Sequence, residues 1–168
     1  MKDLSSRITD SEDVARILSK DWVSDNVILH MAFTLRDRET YISVNRPAVS
    51  SYDNDIASFV KNHPAFYADE AKTSYMRALI NVKDIRQTEV RVGNVLLDID
   101  VEVEPRNTMT KSHAGIFARY EGKNIKANDV FILQAVGKEI SADEVLLEIR
   151  SHLIDQATLE TCTVKSLL

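Results

Sequence analysis

Residues 95 to 104 read V-L-L-D-I-D-V-E-V-E, and this alternation constrains the fold more than any other stretch. Successive side chains of an extended strand point to opposite sides. Val95, Leu97, Ile99, Val101 and Val103 therefore share one face, and Asp98, Asp100, Glu102 and Glu104 the other. A strand of this kind is half-buried, which is the usual state of an antiparallel sheet with one solvated side. Carboxylates at i and i+2 stand about 7 Å apart, so Asp98 and Asp100 are the candidate ligands for a hard divalent cation. A metal site usually draws on several elements around a concave pocket, whereas a row on one strand is more often solvated or paired with arginines. The ladder is accordingly read as a solvent face, with Arg77, Arg91 and Arg106 as candidate partners. Its charges also discourage edge-to-edge pairing.

The rest of the chain fits one α+β domain spanning 1–168, a mainly antiparallel sheet with helices packed on one face. Thr9 to Glu12 matches an S/T-x-x-E capping box, and Val14, Ile17 and Leu18 follow at helical spacing, which predicts a helix over 10–19. An apolar stretch over 27–35 and the β-rich 41–44 predict a hairpin. Ile56, Phe59 and Val60 predict a helix over 51–62, closed by Pro64. Strands are expected at 76–82 and 115–120, and a short helix or turn over 84–90. The run 130–136 lies between cap-like Asn128 and Gly137 and is read as a helix. Ser141 and Glu144 form a second capping box that opens a helix over 142–154. The tail after Thr158 is an edge strand or a loose end.

Composition narrows the function classes. A net charge of −5 argues against nucleic-acid binding by bulk electrostatics. The single cysteine, Cys162, cannot form an internal disulfide, so a reducing compartment is expected. No apolar run is long enough to span a bilayer, and the first residues lack the apolar core of a signal sequence, so a cytoplasmic location without membrane contact is expected. Four glycines and no phosphate-loop or dinucleotide motif leave no cofactor implied.

His30, His63, His113 and His152 form no zinc-type spacing. His113 differs from the others because small residues surround it in K-S-H-A-G-I, just beyond the ladder strand. This leaves its imidazole accessible for acid–base work, or lets it pack closely as an interior histidine bonded to backbone, the commoner role of an isolated histidine. Arg16, the W-V-S-D-N turn, Ala32-Phe33, I-S-V-N-R over 42–46, V-E-P over 103–105 and S-H-A-G-I over 112–116 occur in an order that resembles a group of small bacterial proteins without established activity. The resemblance covers roughly 14–118 and carries over no catalytic residue. It does single out Arg16, Ser43 and His113 as the polar residues of the shared pieces. Meeting in one cleft, they would supply a phosphate-binding guanidinium, a hydroxyl donor and an acid or base.

Two functions follow as expectations. One is a cytoplasmic bacterial interaction module with a protein partner, in a defence or toxin–antitoxin gene set, favoured by the lack of a catalytic motif. The other is an enzyme or binding protein for a nucleotide or phosphorylated small molecule, using Arg16, Ser43 and His113.

Overall fold

A computed structural model describes residues 7–36, 38–106, 110–133 and 137–165. In chain order the elements are β1 (Asp13–Leu18), β2 (Val23–Ser24), β3 (Val27–Ile28), β4 (Ile42–Asn45), α1 (Tyr52–Asn62), β5 (Ser74–Asn81), α2 (Val82–Arg86), β6 (Val90–Val92), β7 (Val95–Leu97), β8 (Ile99–Pro105), β9 (His113–Tyr120), β10 (Lys123–Asn124), β11 (Val130–Leu133), β12 (Lys138–Ser141), α3 (Ala142–Gln156) and β13 (Thr158–Thr163). Short 3-10 turns cover Lys20–Trp22, His30–Phe33 and Pro64–Phe66.

The main sheet runs β8-β9-β4-β1-β5-β13, with β10 pairing the end of β9, and every pairing in it is antiparallel. The α+β, mainly antiparallel expectation is met. The ladder strand buries Leu97, Ile99, Val101 and Val103 in the larger core. Val95 packs against that core from a partly buried position, and Asp98 lies between β7 and β8.

Helices occupy both faces. Val145, Ile149 and Leu153 of α3 and Ile85 of α2 join the larger core, on the face that carries Val14 and Leu18. Tyr52, Ile56 and Val60 of α1 pack on the other face, against Ala15, Ile17 and Tyr75. Among the described residues no helix is long and apolar enough to cross a membrane.

Three local expectations are corrected. The segment 10–19 contains strand β1, not a helix, because β1 is central and buried on both faces, so its apolar residues need not alternate. The capping-box contact still forms: the Thr9 amide donates to Glu12 Oε2 at 3.0 Å, closing a turn instead of a helix. Segments 27–35 and 41–44 are not partners. β3 pairs with β2 around Asp25 and Asn26, both at positive φ (49° and 63°), while β4 pairs with β1 and β9. Finally, Val130–Leu133 is a strand, paired with Lys138–Ser141; the remainder of the run, 134–136, lies outside the described residues. Gly137, at φ 58°, sits in the link between these two strands and does not cap a helix.

Candidate functional site

Residues directly opposite in a sheet share a face. Ala15 stands opposite Asn45, Asn45 opposite His113, and Ser43 opposite Gly115. Ser43, Asn45 and His113 therefore lie on the α1 side. Gly115 offers no side chain there, and Tyr41 packs so close above it that a Cβ would meet Tyr41 Cδ2 at 2.6 Å. Across this low point His113 reaches diagonally, and its Nε2 lies 2.6 Å from Ser43 Oγ.

Arg16 enters from β1. Only one register pair, Ala15 with Asn45, joins β1 and β4 among the described residues. Beyond it the strands part and the Arg16 guanidinium fills the gap. Its Nε donates to the Ala32 carbonyl and its Nη1 to the Ser43 carbonyl, both at 2.8 Å, and its plane lies over Trp22 at 5.0 Å. A guanidinium has five N–H donors, so the Nη2 pair and one Nη1 hydrogen remain beyond these two bonds.

The parting of β1 and β4 opens a cavity of about 770 Å³, within the usual range for small-molecule sites. Arg16, Ser43, Asn45, Asp55 and His113 line its polar part. Trp22, Phe59, His63 and Phe66 line the apolar part. These rings also pack on one another: Trp22 on Phe66 at 5.5 Å, Phe59 on Phe66 at 4.9 Å and Phe59 on His63 at 4.8 Å. Arg36, Glu39, Tyr41 and Met31 also line it.

The cavity floor is held by a carboxylate. Asp55 Oδ2 accepts from Ser51 Oγ (2.9 Å), Ser112 Oγ (2.6 Å) and the Ser112 amide (3.2 Å). Asn45 Nδ2 donates to the same Ser112 hydroxyl at 2.9 Å. The start of β9 is thus pinned to α1 and β4 immediately before His113, which fixes where the imidazole can stand.

Burial pushes the His113 pKa below the ordinary 6.5; the Arg106 guanidinium acts in the same direction and the Arg106 backbone against it. The ring is neutral at pH 7. With the Ser43 hydroxyl donating, Nε2 accepts and the ring proton resides on Nδ1, which is buried without a hydrogen-bond partner among the described residues. Burial also lowers the Arg16 pKa to about 10, opposed by the charge of Glu39, so the guanidinium stays cationic at neutral pH. A neutral imidazole bonded to a hydroxyl beside a fixed cation can take a proton from that hydroxyl and stabilise negative charge nearby.

All three residues singled out in the sequence, Arg16, Ser43 and His113, meet here. Asp98 and Asp100 do not. They lie along the β7–β8 segment, and among the described residues no group of three or more His, Cys, Asp or Glu could hold a metal. Asp98 and Asp100 are exposed, and the other two acids of the ladder are paired, though not with the arginines expected. Glu104 takes two bonds from Arg119 (2.9 and 2.5 Å), and Glu102 pairs with Arg86. Arg77 instead bonds the Tyr52 hydroxyl at 3.0 Å and faces Glu160. His152 Nε2 lies 3.1 Å from the Asp84 carbonyl, away from the cavity.

Sequence reasoning missed Asp55 and the aromatic wall. A signal was present: Asp55, Phe59 and His63 recur at i, i+4 and i+8, which places them along one side of α1. Tyr41, Ser43 and Asn45 alternate in the same way along β4 and the residue before it. No family model, curated protein or solved structure matches the chain.

Proposed function

We infer that this protein binds a small anionic molecule bearing a planar ring, of the nucleotide or phosphorylated-metabolite class, and moves a proton on it through Ser43 and His113. The observation that carries this reading is the 2.6 Å contact between Ser43 Oγ and His113 Nε2 inside a cavity whose wall also contains Arg16. The guanidinium suits a phosphate or carboxylate, since its remaining donors are arranged as a planar fork. The rings of Trp22, Phe59 and Phe66 on the same cavity lining offer apolar surface for an aromatic group.

The test is thermal melting of the whole chain against nucleoside mono-, di- and triphosphates, cyclic nucleotides and aryl phosphates. A ligand that binds only the folded state raises the melting temperature, by about 2.7 kcal/mol of stabilisation at one hundred times Kd. Arg16→Lys keeps the charge but loses the fork, and should weaken the shift at least tenfold in apparent Kd. A panel without any shift up to millimolar concentration would end this reading.

The interaction-module reading, with a cytoplasmic bacterial protein of a defence or toxin–antitoxin set as its setting, rests on a smaller observation. Met31 lines the cavity and is 54% exposed, so apolar surface is offered at the site's edge. Its expected outcome is a stoichiometric partner in a pull-down that Met31→Glu abolishes.

A further inference from the structure

The polar part of the cavity carries a second, more specific chemistry, which rests on the small-anion reading above. We propose that Ser43 is a nucleophile that cleaves a phosphodiester, by way of a covalent phosphoryl-serine, with His113 moving the proton and Arg16 holding the phosphoryl oxygens.

Three features of the site support it. The first is alignment: Ser43 Oγ is already hydrogen-bonded to a ring nitrogen, the relation an activated hydroxyl needs. The second is rigidity. His113 follows Ser112, which is bonded to both Asp55 and Asn45, and Ser43 lies in a strand whose carbonyl is held by Arg16. Reacting groups held by strands and a part-buried network are placed without loss of entropy at the moment of reaction.

The third feature is charge, and it decides the substrate class. The formal charges of Arg16 and Arg36 on the lining are balanced by Glu39 and Asp55. The site therefore has no surplus of positive charge to neutralise a triphosphate. One negative charge close to Arg16 is what it accommodates, and a diester carries one. The aromatic wall then receives one ester substituent.

The Ser43 oxygen bonds to phosphorus and the bond from phosphorus to one ester oxygen breaks. The Ser43 proton passes to His113 Nε2 and from there to the departing alkoxide, which leaves as an alcohol. Water then attacks the phosphoryl-serine, giving one proton to His113 as its oxygen bonds to phosphorus. The bond to Ser43 breaks, and Ser43 recovers the proton from His113. The sum is a diester plus water giving a monoester and an alcohol, with no other reactant.

The experiment uses the full chain with an alkyl fluorophosphonate, which presents phosphorus with fluoride as the leaving group. The expected result is a single adduct, mapped by peptide mass spectrometry to Ser43, absent in Ser43→Ala and slowed at least a hundredfold in His113→Gln. Turnover of bis(4-nitrophenyl) phosphate by the unmodified chain, lost in the same variants, is the second readout. Peptide mapping on the unmodified chain keeps the test decisive even where a variant fails to fold. No adduct on Ser43, or one formed equally fast in a folded His113→Gln, overturns the proposal. If labelling and turnover are absent while cyclic nucleotides or aryl phosphates still raise the melting temperature, the covalent step falls and the binding reading stands. If the melting shift is absent as well, both fall.

Discussion

Ser43 and His113 can touch because a glycine stands between the neighbours that would otherwise separate them. Gly115 lies opposite Ser43, and the Tyr41 ring occupies the space a Cβ would need. Gly115→Ala should displace Tyr41, destabilise the protein by about 1–3 kcal/mol through overpacking, and abolish ligand-induced melting shifts. Melting with and without ligand checks both effects. His113 supplies a pH prediction. It faces Ser43, the Tyr41 ring at 6.1 Å and the nearby Arg106 charge, with no carboxylate bonded to it among the described residues. Its folded pKa lies below the ordinary 6.5, so the unfolded chain binds the proton more readily. The stability due to the neutral ring is complete above pH 6.5 and falls as pH drops toward the folded value, below which the loss levels off. Urea midpoints across pH 5 to 8 should show this fall in the native chain and a smaller one in His113→Gln. Activity carried by the pair should follow a single ionisation below the usual histidine range. At this scale the sequence was legible through the small neighbours of His113 and through the ordered motifs whose polar residues are Arg16, Ser43 and His113. Asp55 was hidden because it sits among other polar residues at a helix start, and only its bonds to Ser51 and Ser112 mark it out.

Between elements, the strongest single tie is Arg46 to Glu12. Arg46 is fully buried, and it donates to both carboxylate oxygens, at 3.0 and 2.9 Å, and to the Arg7 carbonyl. It fastens the segment after β4 to the turn that starts β1. Removing one member leaves the other charge desolvated and unpaired, which costs about 3–5 kcal/mol. Arg46→Ala and Glu12→Ala should each lower stability by that amount in urea unfolding, and the double variant should lose much less than their sum. The half-buried pair of Glu104 with Arg119, by contrast, keeps contact with solvent and should be worth less than the Arg46–Glu12 tie. Glu12 also shows why some elements were misread. Its contact to the Thr9 amide is the one a capping box predicts, yet the residues after it enter the middle of a sheet. A strand buried on both faces has no period to read, so local cap chemistry dominated the reading of 10–19. α1 and α3, each with one solvated face, formed where their patterns placed them. The ladder held as one strand only over Ile99–Pro105, because the strand breaks at Asp98 and Val95–Leu97 pairs with β6 instead. The pairing of β4 with β1 and β9 was not legible, since partners distant in sequence leave no local trace.

For the molecule as a whole, the sheet has two different faces with two different tasks. α2 and α3 close one face over the larger core, whereas α1 covers the other face beside Ala15, Ile17 and Tyr75 and borders the cavity with Asp55, Phe59 and His63. The larger core and the cavity are thereby set on opposite sides of one layer of strands, and the same β1 that anchors both cores carries Arg16 to the cavity lining. The far edge of this sheet is guarded by β13. It pairs with β5 over six register positions, from Thr158 with Leu79 to Thr163 with Ser74, and Cys162 and Val164 pack against the second core. Without it, β5 would present a row of unpaired amides and carbonyls flanked by apolar side chains, a template for pairing with another chain. A chain ending at Ala157 should therefore melt at a lower temperature and scatter light in proportion to its concentration, while the full chain at the same concentrations stays clear. Because the cavity lies on the β1–β4 side, ligand should still raise the melting temperature of whatever fraction remains monomeric. A truncated chain that melts with the full one and shows no scattering would mean that β5 tolerates an open edge, and that β13 serves something other than the integrity of the sheet.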